Sequence, residues 1–121
     1  MIINWYKKAV SLNVIDYGFW ISPQGEVYEV DQYEHENFIR DHFNLSMYKA
    51  IETGWIRIVA QDNIMVEGNS IETLRPYAAN FIGLFNKMKQ NNPYAVFTYS
   101  SNGKHSSAMD AAGIRDMFSI S

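Results

Sequence analysis

Imidazole carries protons and binds metals near neutral pH, so the three histidines of this 121-residue chain are the first place to look for chemistry. His35 and His42 lie in a stretch of helical periodicity, DQYEHENFIRDHF. There they share one face, about 10 Å apart along the axis at roughly 1.5 Å per residue. A single metal ion takes two ligands from one helix at i,i+3 or i,i+4, as in H-E-x-x-H, and the wider spacing of His35 and His42 is too long for one ion. A dinuclear site would need carboxylates from elsewhere, since Glu34, Glu36 and Asp41 fall outside the histidine face. The pair therefore reads first as core-edge histidines bonded to backbone or to tyrosine hydroxyls, and no metal site is expected. A small metal-dependent hydrolase using His35 and His42 is the alternative.

The third histidine, His105, sits in SSNGKHSS (residues 100–107), the one segment of small polar residues. Gly103, Lys104 and the hydroxyls stand ahead of a helical pattern, an arrangement that favours anions. A phosphate-binding P-loop needs G-x-x-x-x-G-K-[ST] after a buried strand, and only Gly-Lys is present. A surface loop is the simpler reading, with an anion or nucleotide site at Lys104 and His105 as the alternative. Nucleophilic catalysis finds little purchase: there is no cysteine and no G-x-S-x-G elbow. The missing cysteines also exclude disulfides and thiolate zinc sites. No carboxylate stands alone in an apolar setting that would raise its pKa. The reading is of a non-enzymatic protein without a cofactor.

Charge narrows the partners. The net charge is −3, and no Lys or Arg occurs from Ala9 to Ile39. Glu26, Glu29, Asp31, Glu34, Glu36 and Asp41 cluster there, opposed only by Arg40. Such a face repels phosphate backbones, so nucleic acid is not expected. A solvated face is the bland reading; as a binding surface it would suit a basic protein patch. Trp20 and Tyr28 are of the types that anchor protein contacts, which gives Trp20, Glu26, Tyr28, Glu29, Glu34 and Glu36 as candidate contact residues. Trp20 and Trp55 read equally as core. No run of about 20 apolar residues is present to cross a bilayer, and the cytoplasm or a virion is the expected location.

The elements that would position these residues follow from periodicity. Apolar residues at helical spacing predict an amphipathic helix over Ile2–Leu12. Tyr17–Ser22, Pro23-Gln24-Gly25 and Glu26–Asp31 form a hairpin, with proline and glycine supplying the turn. Alternation puts Glu26, Tyr28 and Val30 on one face and Val27, Glu29 and Asp31 on the other. A helix over Tyr33–Phe43 follows, with His35, Phe38, Ile39, His42 and Phe43 on its inner stripe. Ser46 caps a short helix that Gly54 stops. Trp55–Val59 and Ile64–Glu67 make a second hairpin. Asn69 or Ser70 caps a long helix lined by Ile71, Leu74, Ala78, Phe81, Ile82, Phe85 and Met88, either bent at Pro76 or starting there. Tyr94–Ser100 is a fifth strand, and Ser107 caps a last helix over Ala108–Phe118. The expectation is a single α+β domain over 1–121, an antiparallel sheet of about five strands built from hairpins, with four to five helices packed on one face.

WISPQGEVYEV, His35 and GWIR at 54–57 together resemble a pattern in small uncharacterised proteins of bacteriophages and related elements. There a W-I-x-P-x-G hairpin precedes a helix with a histidine near its start, and a G-W-I-R strand follows. The matching positions are Trp20, Ile21, Pro23, Gly25, His35, Gly54, Trp55, Ile56 and Arg57. The resemblance spans about Tyr17 to Leu84. It implies a phage accessory or virion-associated protein that binds another protein or itself, and brings no activity or functional residues with it.

Overall fold

A computed structural model of the chain describes residues 17–31, 33–60, 63–102 and 106–118. The expected helix over Ile2–Leu12, the corner Gln61-Asp62, and Lys104 and His105 lie outside the described residues. Strands β1 (Tyr17–Ile21) and β2 (Val27–Glu29) pair antiparallel with Trp20 opposite Tyr28. Their turn closes through Gly25 N–H to Ser22 C=O at 2.9 Å, and Ser22 Oγ accepts the Glu26 N–H at 3.0 Å. Gly25 has φ +90, a conformation that only glycine adopts freely.

Helix α1 (His35–Phe43) ends at Asn44 in the left-handed conformation, whose N–H bonds the Arg40 carbonyl. Ser46 caps α2 (Met47–Glu52) by accepting the Lys49 N–H at 3.0 Å. The second hairpin is β3 (Ile56–Ala60) with β4 (Ile64–Gly68). The long helical stretch is divided: α3 (Ile71–Leu74), a 3-10 turn at Arg75–Tyr77 holding Pro76, then α4 (Ala78–Asn91). Its N-cap is Ser70, which accepts the Thr73 N–H; Asn69 instead donates its amide to the Glu52 carbonyl at 3.1 Å. β5 (Phe97–Ser101) and β6 (Ser106–Met109) form a third hairpin, and α5 (Ala111–Phe118) follows Asp110, which accepts the Gly113 N–H at 2.7 Å.

The sheet order is β2-β1-β3-β4-β5-β6, antiparallel throughout except β4 with β5, which run parallel. The α+β class holds, and two details differ from expectation. There are six strands among the described residues, because Ser106–Met109, expected to be loop and the start of a helix, is an edge strand. The sheet is mixed, because the α3–α4 crossover carries the chain back to the end where β4 began. A helix of α4's length reaches about 21 Å at 1.5 Å per residue, enough to return along a strand.

Helices cover both faces, not one. Strand side chains alternate between faces. Phe19, Ile21, Ile56, Ile58, Ile64, Val66, Phe97 and Tyr99 meet Leu74, Ala78, Phe81, Phe85, Met88 and Ile114 on one side. On the other, Trp20, Val30 and Trp55 meet Ile39 of α1 and Ala50 and Ile51 of α2. The alternation expected for β2 holds, with Tyr28 against the second cluster and Val27 against the first.

Candidate functional site

His35 opens α1 and lies 1 % exposed against the sheet. It gets there because Gly18 sits beneath it: a methyl group on Gly18 would collide with His35 Nε2 and with the Val30 carbonyl oxygen. A glycine inside a strand often marks such an approach. Both ring nitrogens are engaged. Arg57 Nε lies 3.1 Å from Nδ1, and the Val30 carbonyl oxygen lies 3.2 Å from Nε2. A guanidinium only donates, so Nδ1 accepts and the proton resides on Nε2, which donates to Val30. Trp20 Nε1–H donates to the His35 carbonyl at 3.2 Å, and the two rings meet at 5.6 Å. Arg57 then reaches Glu67 on the neighbouring strand, Nη1 to Oε1 at 3.6 Å. The imidazole is thus held neutral at the head of a chain running from Val30 through Arg57 to Glu67. Burial, reinforced by the Arg57 charge, lowers its pKa from 6.5 to about 4.

A second assembly lies at the surface above it. Tyr28 from β2, Phe38 and Phe43 from α1, and Trp55 ahead of β3 form a ring cluster. Centroids are 5.6 Å apart for Tyr28 with Phe38 and with Phe43, and 4.7 Å for Phe43 with Trp55. Trp55 is the buried floor, Tyr28 and Phe38 are half-buried, and Phe43 is 36 % exposed. Carboxylates stand at its margin. Glu26 accepts the Tyr28 hydroxyl at 2.7 Å, a bond that raises the phenol's pKa. Glu29, Glu34 and Glu36 are exposed on the same hairpin–helix unit. Arg40, the unit's one cation, is turned to Asn37 at 2.8 Å and Asp41 at 3.4 Å.

The same sheet face carries a shallow depression of about 190 Å³ lined by Arg57, Val59, Met65, Glu67, Thr98 and Ser100. Its two charges face each other across the Arg57–Glu67 pair.

The structure separates the expected site residues. Trp20 is fully buried, tilted against His35 and edge-on to Trp55; it is core. His42, expected on the inner stripe, is exposed, its ring tilted against Phe38 at 4.7 Å; only His35 and Ile39 of α1 are buried. With both His35 nitrogens taken and His42 outside, the two do not share a ligand position. Among the described residues no three His, Asp or Glu side chains converge on one point. Glu26 bonds Tyr28 beside the ring cluster, and Glu34 and Glu36 are exposed at the start of α1; Glu29, opposite Phe19 in the strand register, leaves the edge strand on the other face of the sheet from Tyr28. Arg57, Glu67, Phe38 and Phe43 are the participants that residue type alone did not single out. A lone arginine inside the apolar run WIRIV, and a lone glycine inside YGFWI, were the available signals. Ser46 and Lys49 also have S-x-x-K spacing; the hydroxyl caps α2 and the ammonium pairs with Glu52 at 3.0 Å, so neither attends the other.

Comparison with protein-family models, curated proteins and solved structures finds no match to this chain. Residues of WISPQGEVYEV and GWIR converge in space with His35. Trp20, His35, Trp55 and Arg57 form the buried node, and a methyl group on Gly54 would rest on Pro23 of the first turn. That pattern marks how the hairpin, α1 and β3 lock together.

Proposed function

We propose that the chain acts without catalysis, by binding another protein through the surface where the first hairpin meets α1. Tyr28, Phe38 and Phe43 are the apolar centre, Glu26, Glu34 and Glu36 the charged margin, and Glu29 adds its charge from the other side of the edge strand. The partner presents a basic surface. The observation that carries this reading is the half-exposed ring cluster bordered by carboxylates. Guanidinium groups lie on ring faces and pair with carboxylates at once, and aromatic residues dominate the energetics of protein contacts. The resemblance of WISPQGEVYEV and GWIR to phage proteins sets this partner in a phage particle or an infected cell, with self-association in an assembly as a further form of the same role.

A fluorescent arginine-rich peptide titrated by anisotropy tests the surface directly. Phe43→Ser and the triple reversal Glu29→Lys, Glu34→Lys, Glu36→Lys should each weaken binding by about tenfold or more, the loss of one hot-spot contact being worth roughly 1.4 kcal/mol and upward. Added salt should weaken the wild type and leave the triple variant little changed. Equal binding by the wild type and the triple variant would sink the proposal.

A further inference from the structure

We propose that His35 is an acid-operated latch on this surface: a proton added to its ring releases α1 from the sheet and dismantles the ring cluster that α1 shares with β2. Its purpose rests on the contact reading above. Its operation rests on the geometry of His35 alone.

The neutral ring fits its site in one way. Nε2–H donates to the Val30 carbonyl, and Nδ1 accepts from Arg57 Nε–H. A second proton must go to Nδ1, where it would point at another N–H donor only 3.1 Å away. That one bond then becomes a donor facing a donor and a cation facing a cation, while the bond to the Val30 carbonyl remains. Arg57 cannot relieve this by losing its proton. It can only withdraw, which also disturbs its pairing with Glu67. The ring has no room on its other side, where Gly18 lies in contact.

The groups facing His35 can be named by element. β1 offers Gly18 and the Trp20 ring, neither charged. The turn before α1 offers Asp31, whose charge favours the imidazolium, as does the Val30 carbonyl. β3 offers Arg57, which opposes it, and Glu67 of β4 is engaged by Arg57. Burial is the largest influence and also opposes the charge. The unfolded chain therefore binds this proton more readily than the folded one. The sign follows: the contribution is complete above about pH 6.5 and is lost as the pH falls toward 4.

Release at His35 reaches the surface because this residue pins the start of α1 to three strands. It bonds the Val30 carbonyl at the end of the hairpin, takes the Trp20 indole N–H on its own carbonyl, and receives Arg57 of β3. Phe38 and Phe43, which complete the cluster around Tyr28 and Trp55, are carried on the helix so pinned.

The experiment compares the wild type with His35→Gln, in which an amide keeps one donor and one acceptor and does not titrate. Urea unfolding is measured from pH 7 to pH 5, and the His35 ring nitrogens are followed by NMR in the folded wild type. The folded-to-unfolded ratio of the wild type should fall, relative to the variant, by on the order of 20-fold over that range. The ring should stay in the neutral Nε2–H form to below pH 5. Parallel loss of stability in both proteins, or a ring that titrates near 6.5 while the protein is folded, overturns the latch. Should the glutamine variant not fold, the ring titration decides alone. Neither measurement involves a partner, so a chain that binds no arginine-rich peptide at neutral pH loses the contact reading and leaves the latch standing.

Discussion

On the α4 side of the sheet, Phe81 and Phe85 close on Phe97 at 6.0 and 5.9 Å, amid isoleucines, leucines and valine that are almost wholly buried. On the α1 side, Trp20 meets Trp55 edge-on at 6.1 Å, but a histidine, an arginine and a glutamate thread between the strands and the helix. The first side has many interchangeable apolar contacts, and its cohesion scales with the area removed from water. The second depends on a few directional bonds, and breaking those at His35 would leave buried polar atoms stranded. A sheet can thus be held firmly from one side while the other side is set up to be specific and responsive to conditions.

The comparison breaks most visibly at Phe81. Replacing it with alanine should cost about 3–5 kcal/mol, the range for a large ring removed from a filled core, as read by chemical denaturation. The loss should be the same at pH 7 and pH 5, since what it removes is apolar packing such as the Phe81–Phe97 contact. Gly18→Ala comes next on the other face. Its methyl group meets His35 and the Val30 carbonyl, and overpacking of this kind costs about 1–3 kcal/mol. Here the sharper measurement is a double-mutant cycle. Gly18→Ala with His35→Ala should be less destabilised than the sum of the single changes, by about 1 kcal/mol; strict additivity would mean that the ring does not rest on the strand. The smallest effect tests whether the contrast is confined to the cores. Ser46→Ala and Ser70→Ala remove equivalent caps from opposite sides, and each should cost about 1 kcal/mol. Unequal losses would show that the helices, and not only the faces they cover, are held differently.

Legibility followed the locality of the signal. The first hairpin was readable because Pro23 and Gly25 fix its turn and a period of two fixes its faces. The apolar line from Ile71 to Met88 was readable for the same reason, and it lies in the main core. Pro76 was harder: the phase of the line continues through it, but the backbone tightens to a 3-10 turn there. The strand at Ser106–Met109 has little signature because it is short and opens on two serines, and an edge strand held by one neighbour needs no apolar alternation. Parallel pairing of β4 and β5 has no local signature at all. His42 falls outside because a face drawn at 100° per residue assumes burial along the whole helix, whereas in α1 only His35 and Ile39 are buried and Phe38 partly so. Of the surface candidates, the carboxylates and Tyr28 were legible from charge and residue type. Their assembly with Phe38, Phe43 and Trp55 depends on where three separate elements end up.

The two long-range seams of the sheet have a kinetic consequence. The pairs β1–β2, β3–β4 and β5–β6 join neighbours in the chain, whereas β1 meets β3 only across the segment holding β2, α1 and α2, and β4 meets β5 only across the helical crossover. Asn63 Oδ1 accepting the Val96 N–H across 33 residues marks the near end of that seam. Closing so long a loop is slow relative to zipping a hairpin. The three hairpins can therefore take shape first, and the β1–β3 and β4–β5 seams that join them into one sheet are stitched afterwards.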